Sequence, residues 1–243
     1  MNRVCGLHSV RLALERGQVR RLLLARRRKD KRLTGLRDMA AAKGVAVLER
    51  EAGELDRLAA GVRHQGAVAE IEGAAPLSEN QLETWLYEAR EPLVLVLDGV
   101  QDPRNLGACL RAADGAGVDA VVLPRRRATG LTPAARKTAS GAAEAMRLFT
   151  VTNLARSLGT LGEAGVLRVG AVAAGGVPPW DLDLQGPLAL VLGAEAGGLR
   201  RLTREHLDAR VTLPMGGVVE SLNVAVACGV VLYEARRQRG RET

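Results

Sequence analysis

Aromatic side chains make up only 2% of this 243-residue chain. They are Trp85, Trp180, Tyr87, Tyr233 and Phe149, and none falls within residues 1–73. A base-stacking sheet in that segment is therefore excluded, and any nucleic-acid contact it makes reads phosphates and shape. Cysteine is equally sparse. Cys5, Cys109 and Cys228 lie far apart, which excludes a zinc ribbon or a CxxC centre. Their odd number argues against a secreted disulfide scaffold. His8, His64 and His206 are isolated, so no metal site is expected. No run approaches the roughly 18 apolar residues of a membrane span, and the first 17 residues lack a signal-peptide core. A cytoplasmic protein is expected. No strand is followed by GxGxxG and no Walker lysine occurs, so dinucleotide and P-loop readings fail.

Apolar residues are plentiful at 47%, enough to bury a sizeable core. Charge is uneven. The net charge is +8, and residues 1–73 hold 16 Lys and Arg against 9 Asp and Glu, leaving the remainder at +1. This asymmetry suggests a polyanion-binding module attached to a near-neutral one. The densest basic run is Arg26, Arg27, Arg28, Lys29, Lys31 and Arg32, with Arg20, Arg21 and Arg63 as possible extensions. A second basic loop is Arg125-Arg126-Arg127.

Periodicity predicts alternating strands and helices throughout. Residues 1–73 read as a compact α/β unit, 74–90 as a linker with a short helix, and 91–243 as a second α/β unit. The uninterrupted apolar runs at 93–97 and 188–192 suit a parallel sheet covered on both faces. A helix is expected over 105–116 with Asn105 as its cap, and another over 221–239 capped by Ser221. The last helix is apolar on nearly every side, which suits core on one face and a subunit contact on the other.

Ligands of such sheets bind beyond the carboxyl ends of the strands, and three loops there stand out. Asp98 to Arg111 joins a buried strand to an amphipathic helix. Leu192 to Leu199 is a small-residue loop holding Glu195. Leu213 to Asn223 is a glycine-containing loop before the final helix. Alone, each loop also reads as capping residues and solvated charges.

Together, in this order, they resemble the motifs of one family. N-x-G-A-x-x-R at 105–111, L-G-x-E-x-x-G-L at 192–199 and L-P-M-x-x-x-x-E-S-L-N-V-A-V-A at 213–227 are similar to motifs 1, 2 and 3 of the SpoU branch of the SPOUT RNA methyltransferases. Gly6-Leu7-His8-Ser9-Val10, residues 55–60 and His64-Gln65-Gly66-Ala67-Val68-Ala69 resemble the substrate-binding domain of two-domain members acting on 23S rRNA guanosine, a domain related to the L30e/L7Ae fold.

The resemblance implies a trefoil-knotted, parallel-sheet catalytic domain with a small L30e/L7Ae-like α/β domain before it. It implies a homodimer that methylates a ribose 2′-OH of 23S rRNA, free or in a precursor particle, using S-adenosylmethionine and no metal. Gly193, Leu213 and Leu222, with Met215 beside them, match donor-binding positions. Asn105, Arg111, Glu195, Ser221 and Asn223 match the polar catalytic set. A guanidinium is a poor base, so Arg111 suits phosphate binding and alkoxide stabilisation better than proton abstraction. Glu195 could orient Arg111 or take the proton.

Overall fold

The structure, a computed structural model, describes residues 2–15, 17–26, 30–71, 76–195 and 197–240. The chain divides into two compact units, 1–75 with 131–145, and 76–130 with 146–243.

In the first unit, β1 (Asn2–Cys5), β2 (Val19–Ala25), β3 (Ala46–Arg50) and β4 (Ala67–Ile71) form a sheet in the order β1-β4-β2-β3. β4 is antiparallel to both neighbours, whereas β2 and β3 are parallel. Pleating divides the leucines of β2 between two cores. Leu22 and Leu24 pack with Val10, Leu14, Leu33 and Leu36 of α1 (Leu7–Glu15) and α2 (Lys31–Ala42). Leu23 packs with Leu55 and Ala59 of α3 (Ala52–Ala59) on the opposite face. Burying each such side chain stabilises by about 1.5–3 kcal/mol, which explains the uninterrupted apolar run. β1 is too short and too polar for a periodicity signal. Its Val4 is buried all the same.

The second unit opens with α4 (Glu79–Glu88), held by a Ser78/Gln81 capping box. β5 (Leu93–Asp98), α5 (Pro103–Ala116) and β6 (Ala120–Pro124) follow. The chain then contributes α6 (Pro133–Ala139) and α7 (Ala142–Ala145) to the first unit. There Arg136 and Glu144 form a half-buried ion pair at 2.6 Å, and the Gln18 amide donates to the Glu144 carbonyl at 2.6 Å. Ser140 ends α6 in a left-handed conformation, φ 53°. The second unit resumes with β7 (Arg147–Val151), α8 (Leu154–Glu163), β8 (Leu167–Ala171), β9 (Leu188–Gly193), α9 (Arg201–Glu205), β10 (Ala209–Val211) and α10 (Val224–Gln238).

Its six strands are all parallel, in the order β10-β8-β9-β5-β6-β7. Val94 and Val96 pack with Leu82, Leu86, Leu154 and Leu158 of α4 and α8. Alternation sends Leu93, Leu95 and Leu97 to the other face, where α5 and α10 pack together. Cys109 and Cys228, one on each of those helices, are free and fully buried. Their mutual hydrogen bonding, with burial, raises the Cys228 thiol well above its ordinary 9.0, so it remains a small neutral core residue.

A surface ion pair ties β8 to the approach to β10. Arg168 Nε donates to Asp208 Oδ2 at 2.9 Å and its terminal nitrogen donates to Oδ1 at 2.6 Å. The hydrogen bond from the guanidinium holds Asp208 below its ordinary 3.8. A depressed carboxylate stabilises the fold above its unfolded pKa, and that contribution is lost as pH falls through the folded value. Asp208→Asn should therefore lower stability by at most about 1 kcal/mol at neutral pH, given solvent screening. Urea midpoints of variant and wild type should converge below pH 3.8. A constant gap across pH would show that the charge is not responsible.

Candidate active site

The carboxyl ends of β8, β9 and β10 open on a cavity of 660 Å³. Segments 171–174, 192–195, 197–199 and parts of 210–231 line it, among them Gly193, Glu195, Leu213, Met215, Ser221, Leu222 and Asn223. The size suits a small-molecule ligand. Much of the wall is backbone from small residues.

Gly193 shows why. Beyond it the chain turns sharply: Ala194 N–H donates to Gly198 O at 3.1 Å and Gly198 N–H returns to Ala194 O at 2.7 Å. A Cβ on Gly193 would stand 2.1 Å from the Gly198 carbonyl carbon and 2.3 Å from its oxygen. Only glycine admits this approach.

Asp98, at the end of β5, braces the turn from below. It is 1% exposed, pairs with the Arg200 guanidinium, and accepts the Arg200 backbone N–H at 3.0 Å. The sequence reading missed this pair, although an acid closing an otherwise apolar strand was the available signal. It also missed Arg204 and Arg210, which line the cavity. Arg204 Nε donates to Leu199 O at 2.8 Å.

Both expected helix caps are corrected. α5 is capped by Asp102, whose carboxylate accepts from Arg104 N at 2.8 Å, with Pro103 at the first helical position. Proline presets the helical φ and needs no N–H partner there, so the helix starts earlier than Asn105. Asn105 lies in the first turn with its amide free for other work. α10 is capped by Asn223, which accepts from Ala225 N at 2.9 Å. Ser221 stays exposed in the preceding loop, on the cavity wall.

Asn223 thereby sets the orientation of a polar chain. Its Oδ1 is committed as the cap acceptor, so its Nδ2 faces away and donates to Asn105 Oδ1 at 3.1 Å. Asn105 Nδ2 must then donate onward, and it reaches Glu195 Oε1. The first turn of α5, the loop after β9 and the cap of α10 are joined by these three side chains. Glu195 is held by Asn105 and not by Arg111. Arg111 is exposed on α5 and makes no hydrogen bond or ion pair among the described residues. Asn105→Asp should place a carboxylate against Glu195 and push one of the two acids upward. About a hundredfold loss of turnover at pH 7 is expected, with partial recovery at lower pH. A pH-independent loss would sink this account of the chain.

The N-terminal basic run is partly committed. Arg26 pairs with Glu51 and Arg32 with Asp30, both at 3.4 Å, whereas Lys31 is exposed. Arg27, Arg28 and Lys29 lie outside the described residues. Arg21 pairs with buried Glu70 at 2.8 Å, so it does not extend a free cluster. Exposed Arg20 and Arg63 have no such partner among the described residues.

The profile of the SpoU rRNA Methylase family matches residues 92–233, spanning this cavity and all three loops. The chain belongs to the SpoU rRNA methylase family. Residues 3–77 match the RNA 2′-O ribose methyltransferase substrate-binding family, as the N-terminal resemblance implies. The chain is 48% identical over 240 residues to the 23S rRNA (guanosine-2′-O-)-methyltransferase RlmB of Pseudomonas aeruginosa, covering 98% of this chain and 96% of that one. The AdoMet-bound rRNA methyltransferase from Sinorhizobium meliloti matches with a TM-score of 0.77 at 26% identity, covering 97% of this chain and 86% of that one. In fold, the SpoU methyltransferase AviRb from Streptomyces viridochromogenes matches with a TM-score of 0.82 at 24% identity over 99% of this chain and 91% of that one.

Proposed function

We propose that this SpoU methylase transfers a methyl group from S-adenosylmethionine to the 2′-oxygen of a guanosine ribose in 23S rRNA. The observation that carries the reading is near-full-length identity of 48% to a relative bearing that activity in its name, with every motif residue present.

The donor, when bound, supplies an electrophilic methyl on a sulfonium. The cavity fits it in size, and backbone amides and carbonyls beside Gly193, Leu213, Met215 and Leu222 can read an adenine and ribose at close range. Holding methyl and oxygen in line supplies much of the rate. Arg111 binds the phosphate beside the target ribose and stabilises the developing alkoxide. Two carboxylates line the cavity, Glu195 and Glu220. Only Glu195 is held by a side-chain hydrogen bond among the described residues, so it is our acceptor for the 2′ proton. Ser221 supplies a hydroxyl to the same wall.

Arg26, Lys31 and Arg32, with Arg27, Arg28 and Lys29, act as an RNA-contacting surface of the N-terminal unit. The domain limits of the reading are 1–73, 74–90 and 91–243. A homodimer belongs to the same reading, supported by Val226, Val230 and Tyr233, which remain 52%, 42% and 53% exposed along α10. So do a trefoil knot in the catalytic unit and a cytoplasmic location.

The test is transfer from labelled donor to unmodified 23S rRNA, as fragments and as precursor particles, with tRNA alongside. A single labelled 2′-O-methylguanosine in the peptidyl-transferase P-loop region is expected. Label on tRNA or on another rRNA nucleotide would overturn the specificity and keep the chemistry. No label on any RNA despite donor binding would favour a non-catalytic assembly role.

A further inference from the structure

Several arginines described in the second unit have a carboxylate partner inside the fold. Arg168 is bound by Asp208, Arg200 by Asp98, Arg201 by Glu205 and Arg237 by Glu234. Arg125, Arg126 and Arg127 are three consecutive arginines without one. All three are exposed, and none of their side chains makes a hydrogen bond or ion pair among the described residues. Three like charges on consecutive residues repel one another and gain nothing inside the fold.

The loop that carries them is nevertheless pinned. Arg125 N–H donates to Val151 O at 2.8 Å, which continues the β6–β7 ladder by one residue. Thr129 N–H donates to Val100 O at 3.0 Å, fastening the other end to the loop after β5. Gly99, at φ +87°, lets that loop come close: a Cβ there would stand 3.4 Å from Arg127 O. Arg127 itself holds φ 60°, a conformation that L side chains rarely adopt. The segment fastened to this loop leads within a few residues to Arg104 and Asn105 in the first turn of α5.

We propose that Arg125, Arg126 and Arg127 form a fixed phosphate-binding ledge that seats the RNA backbone on the catalytic unit. The proposal rests on the reading of the protein as an RNA methylase and assigns it a second substrate contact. Guanidinium forks match phosphate oxygens bidentately. A loop tied at both ends meets the strand already ordered, so little freedom is lost on binding. The ledge stands at the strand ends that also carry the loops of the cavity, where a bound backbone would help to set register.

The test compares the full-length protein with a variant carrying Arg125→Gln, Arg126→Gln and Arg127→Gly. Glycine at 127 relieves the left-handed backbone while removing the guanidinium. Binding to an unmodified 23S rRNA fragment is measured across salt concentrations, with thermal melting and donor binding as folding controls. We expect affinity to fall about 10- to 100-fold near physiological salt, and the slope of log affinity against log salt to flatten by about 2, at about 0.7 per lost phosphate contact. The kinetic loss should fall on KM for RNA more than on kcat. An unchanged affinity and slope in a folded variant, with wild-type methyl transfer intact, overturns the ledge alone. A flattened slope with no methyl transfer by the wild type would support the ledge and sink the proposed function. Arg127→Gly alone should give about a third of the slope change without loss of thermal stability, and no slope change in it or the triple variant would count against the ledge.

Discussion

Arg111→Ala should lower methyl transfer by about a thousandfold while leaving the dissociation constant for S-adenosylmethionine within about twofold of wild type. Removal of one donor that stabilises a developing oxyanion costs about 10²- to 10³-fold. In the proposed role the same group also holds the adjacent phosphate, so the upper end applies. Arg111 is exposed and has no partner within the described fold, so its loss should be structurally silent, within about 0.5 kcal/mol. That silence makes the result interpretable, because neither unfolding nor a damaged cavity would explain it. Arg111→Lys should restore little, since an ammonium lacks the planar fork. Single-turnover kinetics with saturating donor would check this. Near-normal turnover in the alanine variant would remove Arg111 from the mechanism.

Gly193→Ala is expected to abolish donor binding, with at least a hundredfold rise in its dissociation constant. The added carbon would fall 2.1 Å from the Gly198 carbonyl carbon and 2.3 Å from Leu199 N. These are backbone atoms of a turn closed by two hydrogen bonds and braced by Asp98 and Arg200. No rotamer change relieves such a clash, so the turn itself must move. It carries Glu195 and lines one side of the cavity. Overpacking of this kind destabilises by about 1–3 kcal/mol, which a domain of ordinary stability survives. Calorimetric titration with donor, beside a melting curve, separates the two effects. A folded variant that binds donor normally would show that the cavity is not the donor site.

The strands and most helices were legible because their signals are local. Apolar runs at 93–97 and 188–192 fall where the structure puts β5 and β9, and the helix read over 105–116 ends where α5 ends. The misread features depend on distant partners or on competing caps. Asp102 with Pro103 outcompetes Asn105 as a helix start. Asn223 replaces Ser221 because its carbonyl reaches Ala225 N. Residues 131–145 look like any other stretch of the second half, yet their contacts lie with the first unit.

The candidate site divides the same way. The order and composition of three loops carried the resemblance to the family, and that resemblance offered Gly193, Glu195, Ser221 and Asn223 as candidates. No spacing could show that the Asn223 cap dictates the orientation of Asn105, that Asn105 rather than Arg111 holds Glu195, or that Asp98 and Arg200 brace the turn over Gly193. Those pairs are separated by 118, 90 and 102 residues. Local chemistry and hydrophobic period are properties of neighbours along the chain, and this sequence determined them by itself. Which amide faces which carboxylate is decided only when parallel strands bring their carboxyl ends together, and that belonged to the tertiary structure.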